Sequence, residues 1–97
     1  MIIKPTIGRK VWFWPKKDTQ HAVIQGQPHD ATIVGVWSDT CVNLACRDAN
    51  GTPYAITSVL LYQEGGGPRP DFYFAEWMPF QQGQAKRHAE GGKEEHK

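Results

Sequence analysis

Cysteine is scarce in this chain: Cys41 and Cys46 are the only two among 97 residues. Along an extended strand a spacing of five sets them ~16 Å apart on opposite faces. A disulfide needs Cα atoms within about 7 Å, which excludes that pairing unless the segment bends. The second ligand pair of a zinc knuckle is missing too. Two reduced thiols suit a cytosol. Charge of one sign is also lacking, since eleven basic and ten acidic residues leave a net charge of +1. That balance argues against a dominant electrostatic role on nucleic acid or membrane. No apolar run approaches the ~20 residues needed to span a bilayer. The opening Met1-Ile2-Ile3-Lys4-Pro5 lacks the apolar core of a secretory signal. A cytoplasmic protein without a membrane role is expected.

Catalytic signatures are equally thin. Ser58 has no Gly-x-Ser-x-Gly elbow, and Cys41 and Cys46 have no close base except Arg47. Gly65-Gly66-Gly67 is not followed by the Lys-Ser/Thr of a phosphate loop. Asp39 and Asp48 fall in turns, where Asp is expected because its side chain bonds nearby backbone. His21, His29, His88 and His96 have no ligand spacing and read as accidental loop and tail histidines. The expectation is no enzyme, no metal and no cofactor.

Aromatic residues, by contrast, are plentiful: four Trp, four Phe and three Tyr. Each buries ~150–250 Å², enough to support a small core. They lie in β-type patterns. The run Ile7-Gly8-Arg9-Lys10-Val11-Trp12-Phe13-Trp14-Pro15 predicts a strand stopped by Pro15, with Val11 and Phe13 on one face and Trp12 and Trp14 on the other. Both faces are bulky, so the strand is either covered on both sides or exposes two indoles. Residues 16–30 form a long polar loop. Residues 31–37, 41–47 and 54–62 then predict three strands of an antiparallel meander, with Val42, Leu44 and Cys46 pointing inward. The Asn50-Gly51 turn joins the last two, supplying the positive φ that hairpins require. Residues 65–70 break regular structure, and residues 71–79 predict a last aromatic strand. Residues 81–97 turn to Gln, Gly, Lys, Glu and His without an apolar face and are expected to be a disordered tail. The prediction is an all-β fold: a small five-stranded SH3-like barrel over residues 1–80, with a long first loop.

The first-strand run Ile7-Gly8-Arg9-Lys10-Val11 is one part of a wider pattern. Ala31-Thr32-Ile33-Val34-Gly35-Val36-Trp37, Val42-Asn43-Leu44, Asp48 with Gly51, Thr57-Ser58-Val59 and Glu76-Trp77-Met78-Pro79 complete it. Together they resemble a group of uncharacterised small proteins encoded by tailed bacteriophages and prophages. The resemblance covers most of residues 7 to 79 without the long loop. It implies a phage-derived origin in a bacterial host and an SH3-like barrel, and it carries no catalytic residue to transfer.

Two constellations point to binding. Trp12, Trp14 and Trp37, with Trp77, Tyr54, Tyr62 and Tyr73, supply material for an aromatic groove beside the long loop, of the kind that docks proline-rich segments of a protein partner. Arg9, Lys10, Lys16 and Lys17, interleaved with Trp12 and Trp14, offer an alternative in which lysines hold phosphates and indoles stack on bases. The near-neutral charge and the acidic middle of the chain weigh against it. A small virion structural component is the third reading, for which self-association would be the sign.

Overall fold

A computed structural model describes residues 2–79 and residue 81. Five strands run in chain order: β1 (Lys10–Trp14), β2 (His29–Ser38), β3 (Cys41–Arg47), β4 (Pro53–Tyr62) and β5 (Phe74–Glu76). Each pairs with the next, and β5 returns to β1, so the sheet closes into a barrel. The β1–β2, β2–β3, β3–β4 and β1–β5 ladders are antiparallel, while β4 and β5 run parallel. Closure removes free strand edges. The fold is the all-β barrel that the strand spacing predicts. No helix among the described residues is long and apolar enough to cross a membrane. The disorder expected for the tail concerns residues that, apart from Gln81, lie outside the described ones.

Alternation decides what the barrel encloses. Val11 and Phe13 of β1, Ala31 and Ile33 of β2, and Val42, Leu44 and Cys46 of β3 point inward, with Val59 and Leu61 of β4. Ala75 of β5 and Trp77 just beyond it complete the core. Burying a large apolar side chain contributes about 1.5–3 kcal/mol.

The strand limits depart from the sequence pattern at three places. β1 begins at Lys10 rather than Ile7, because Gly8 takes φ 96° and residues 6–9 turn, Arg9 N–H reaching Thr6 O at 3.3 Å. The loop expected over residues 16–30 closes two residues early, since His29 pairs with Phe13 and Asp30 with Trp12. β5 keeps only three of the nine residues expected, residues 71–73 being bends. Its brevity follows from its task, which is to fill the gap between β1 and β4.

Two polar side chains shape the barrel, Asn43 within β3 and Gln63 just after β4. Asn43 of β3 lies between an extra residue on each neighbour: Val34 of β2 and one residue in the stretch 57–58 of β4. Such bulges sharpen local twist and bend the sheet. Asn43 Oδ1 accepts from Ser58 N–H at 2.8 Å and from Trp37 Nε1–H at 3.0 Å. Ser58 takes φ 57°, the one positive value at a non-glycine among the described residues. Gln63, 3% exposed, works at the other closure. Its Oε1 accepts from Ile3 N–H at 3.0 Å and Trp77 Nε1–H at 3.2 Å. Its Nε2 donates to Ile3 O and Asp39 O, both at 2.9 Å. One amide thus satisfies the N-terminal segment, the β2–β3 turn and the core indole.

Candidate functional site

The β1–β2 loop, residues 15–28, is fastened to the barrel at Ala22. Ala22 N–H donates to Asp48 Oδ2 at 3.2 Å, and Ala22 O accepts from Ala49 N–H at 2.9 Å and from His29 Nε2 at 2.8 Å. Asp48 also builds the β3–β4 turn, its Oδ1 accepting from Asn50 N–H and Thr52 N–H at 2.9 Å each. Burial pushes the Asp48 carboxyl up, but the N–H groups of Thr52, Ala22 and Asn50 outweigh it and hold the carboxyl below its ordinary value. In the turn itself Gly51 takes the positive φ, at 85°, and Asn50 does not.

His29 lies 2% exposed behind this loop, so it is a member of the interior and not the accidental loop histidine that its spacing suggested. Its proton positions follow from its partners. A carbonyl only accepts, so Nε2 carries the hydrogen toward Ala22 O. In the neutral ring Nδ1 then accepts from the Tyr54 hydroxyl, 2.6 Å away. Tyr54 is hydrogen-bonded in turn to Cys46. A single chain of bonds therefore runs from the Cys46 thiol through Tyr54 and His29 to the loop backbone. Burial pushes the Cys46 thiol up to about 11 and raises Tyr54 as well, so both stay protonated near neutral pH.

The visible surface above this chain is a groove. His21 stacks on the Tyr54 ring at 3.7 Å with an interplanar angle of 11°. Phe13 meets Tyr54 and Tyr73 edge-on or tilted at 6.5 and 6.2 Å. A cleft of about 330 Å³ opens between Lys16, Thr19 and His21 of the loop and Tyr54, Ile56 and Tyr73 opposite. It shares Pro15, Lys16 and Tyr73 with a second, more open depression of about 530 Å³ that runs on past Lys17 and Pro70 to Phe72, which is 57% exposed.

The outer face of β1 and β5 is built differently. Pairing sets Trp12 opposite Glu76 and Trp14 opposite Phe74, and Tyr62 pairs with Glu76 from the other side. The β4–β5 connector lays Arg69 over this face. Its guanidinium lies 5.8 Å from the Trp14 ring centre and 5.2 Å from that of Phe74, and 2.8 Å from Glu76 Oε1. Trp14 Nε1–H donates to Glu76 Oε2 at 2.7 Å. The core therefore covers one face of β1, and on the other Arg69 lies over Trp14 while both indoles stay half-buried.

The tryptophans expected to form one binding face are thus divided. Trp12 and Trp14 are half-buried beside Arg69, whereas Trp37 is 68% exposed near the β2–β3 turn. Trp37 lies seven positions along β2 from the Asp30 that pairs with Trp12, roughly 20 Å at strand spacing. Trp77, counted among the groove aromatics, is core at 1% exposure. The rings that do stand beside the long loop are Tyr54 and Tyr73. Phe72 and Arg69 are not singled out by the sequence, and His21 reads there as an accidental loop histidine, because their roles rest on neighbours far away in the chain. The basic residues are spread as well. Lys10 Nζ is 3.1 Å from both oxygens of Asp30, Arg9 uses its carbonyl to continue the ladder to Ile33, and only Lys16 and Lys17 border the groove. His88 and His96 lie outside the described residues. Among the described residues no three His, Cys, Asp or Glu side chains gather in a group that could hold a metal.

These features define the class: a small closed β-barrel with an aromatic groove between its first long loop and β4. Comparison with known proteins finds no matching family model, no matching curated sequence and no matching solved structure.

Proposed function

We propose that this chain is a non-catalytic interaction module that takes an extended segment of a protein partner, bearing proline and aliphatic side chains, in the groove from His21 to Phe72. The observation that carries the reading is the continuity of the two depressions over Pro15, Lys16 and Tyr73. Grooves of this kind are mostly apolar with a few placed polar groups. Here the apolar part is Tyr54, Ile56, Tyr73 and Phe72, and the polar lining comes from residues 16–21 of the loop and from Asp71. Tyr54 is held at its hydroxyl by His29 and on one ring face by the stacked His21, so it loses little freedom on binding. The same proposal extends to source and place. It describes a phage- or prophage-derived protein of the bacterial cytoplasm, supported by the sequence resemblance and by two free thiols.

The test is selection of binders from a random peptide library, followed by amide-shift mapping on the full chain. Perturbations at residues 19–21, 54–56 and 72–73, lost in Phe72→Ala, are expected. Absence of any selected peptide, or shifts confined to another face, overturns the reading. Nucleic acid is the rival occupant, favoured locally by Lys16 and Lys17 beside Phe72 and opposed by Asp18 and Asp71. It would reveal itself as oligonucleotide binding that falls steeply with salt and disappears in a Lys16→Ala/Lys17→Ala double variant.

A further inference from the structure

We propose that the box formed by Trp12, Trp14, Tyr62, Phe74 and Glu76 is a second binding site, for an arginine side chain of a partner polypeptide, and that Arg69 occupies it as an internal surrogate. This site is distinct from the groove and does not depend on it. The carboxylate of Glu76 is the centre of the argument. Its side chain is only 9% exposed, and its two oxygens are engaged by the Arg69 guanidinium and the Trp14 indole. A carboxylate that far from water is costly to leave without a cation. Two aromatic rings, Trp14 and Phe74, lie within the range over which a ring face attracts a cation. Planar ring faces favour a stacked guanidinium over a lysine ammonium, with Oε1 as its acceptor while Oε2 is held by the Trp14 indole.

Arg69 itself comes from the β4–β5 connector, outside the strands that carry the box. Its side chain is 55% exposed. It stands between Pro68 and Pro70, after three consecutive glycines of which Gly65 and Gly67 take φ 89° and 93°. The backbone between Gln63 and Arg69 is tied by Gly66 N–H to Gln63 O and by the Tyr62 hydroxyl to Gly67 O. Beside the guanidinium an open hollow of about 290 Å³ remains, bordered by Trp12, Tyr62 and Pro79. The carboxylate and the rings sit on paired strands, while the cation arrives on a connector of three glycines and two prolines outside them. Release of Arg69 leaves a built receptor with its charge unmet. Because the tethered group competes at an effective concentration on the order of mM, the unaltered chain binds an external arginine weakly.

The experiment uses the full chain with Arg69→Ala and, in parallel, Arg69→Gln, which keeps a polar stem without the charge. The probes are an acetylated Pro-Arg-Pro amide and its citrulline counterpart, and the readout is the Trp14 indole N–H resonance. The arginine peptide is expected to shift that resonance in both variants, at least about tenfold more tightly than in the unaltered chain. The uncharged citrulline peptide and a further Glu76→Gln change should each abolish the response. If the variants are folded and the arginine peptide gives no shift, the proposal fails and Arg69 is only a brace. Should both variants unfold, restoration of the folded spectrum by the arginine peptide alone supports the site, and no restoration overturns it.

Discussion

The Tyr54 hydroxyl lies 2.6 Å from Nδ1 of His29, so a residue on the groove surface is bonded directly to a residue behind the long loop. That contact links two parts of the chain that are 25 residues apart, and through His29 it reaches Ala22 on the loop itself. Groove and loop are therefore one mechanical unit.

Tyr54→Phe separates the hydroxyl from the ring. The ring keeps its stack on His21, while His29 Nδ1 and Cys46 lose a buried partner. A loss of about 1–3 kcal/mol is expected, because an unsatisfied buried group costs its full desolvation. Urea unfolding measures it, and hydrogen exchange at the Ala49 amide should quicken as the loop anchor loosens.

Alkaline pH probes the same chain of bonds. The Cys46 thiol has its value raised from an ordinary 9.0 to about 11 in the folded protein. A raised value means that the unfolded thiol ionises first, so the folded state is favoured fully below pH 9 and the benefit is lost as pH climbs toward 11. About 3 kcal/mol is at stake over that window by linkage. Tyr54, raised by burial and by Cys46, acts in the same direction. Cys46→Ser keeps a hydroxyl for Tyr54 without a titrating thiol, and it should flatten the fall in the urea midpoint measured across this range.

Gln63→Leu tests the closure at the other end. The substitution is similar in size but leaves Ile3 N–H and the Trp77 indole without acceptors. A destabilisation of about 2–4 kcal/mol is expected, with an altered Trp77 environment in near-ultraviolet circular dichroism. An unchanged unfolding midpoint would refute the role assigned to this amide.

Asn43→Ala removes the acceptor shared by Ser58 and Trp37, and about 1–3 kcal/mol should be lost. Asn43→Asp retains an oxygen and should lose less. Gly35→Ala approaches the same point from β2, where a new Cβ would stand 3.0 Å from Asn43 Nδ2. That side chain is pinned through its oxygen and has little room to retreat, so this variant should also be less stable in thermal unfolding.

What the sequence determined by itself is the local pattern. Val11 with Phe13, Ala31 with Ile33, and Val42 with Leu44 and Cys46 alternate inward as the strand period requires, and the hairpin bends where Asp48 and Gly51 are placed. These features follow from backbone stereochemistry over a few residues, which is why they can be read from the order of side chains. Tertiary structure alone decided the fate of the polar and aromatic residues. Trp14 and Trp77 look alike in the sequence, yet one bonds Glu76 under Arg69 and the other fills the core against Gln63. His29 reads as a loop residue until Phe13 pairs with it and turns it inward. The bonds between Gln63 and Ile3 and between Trp14 and Glu76 span 60 and 62 residues. Only the closing of the barrel, which brings β5 between β1 and β4, sets those distant groups within hydrogen-bond reach.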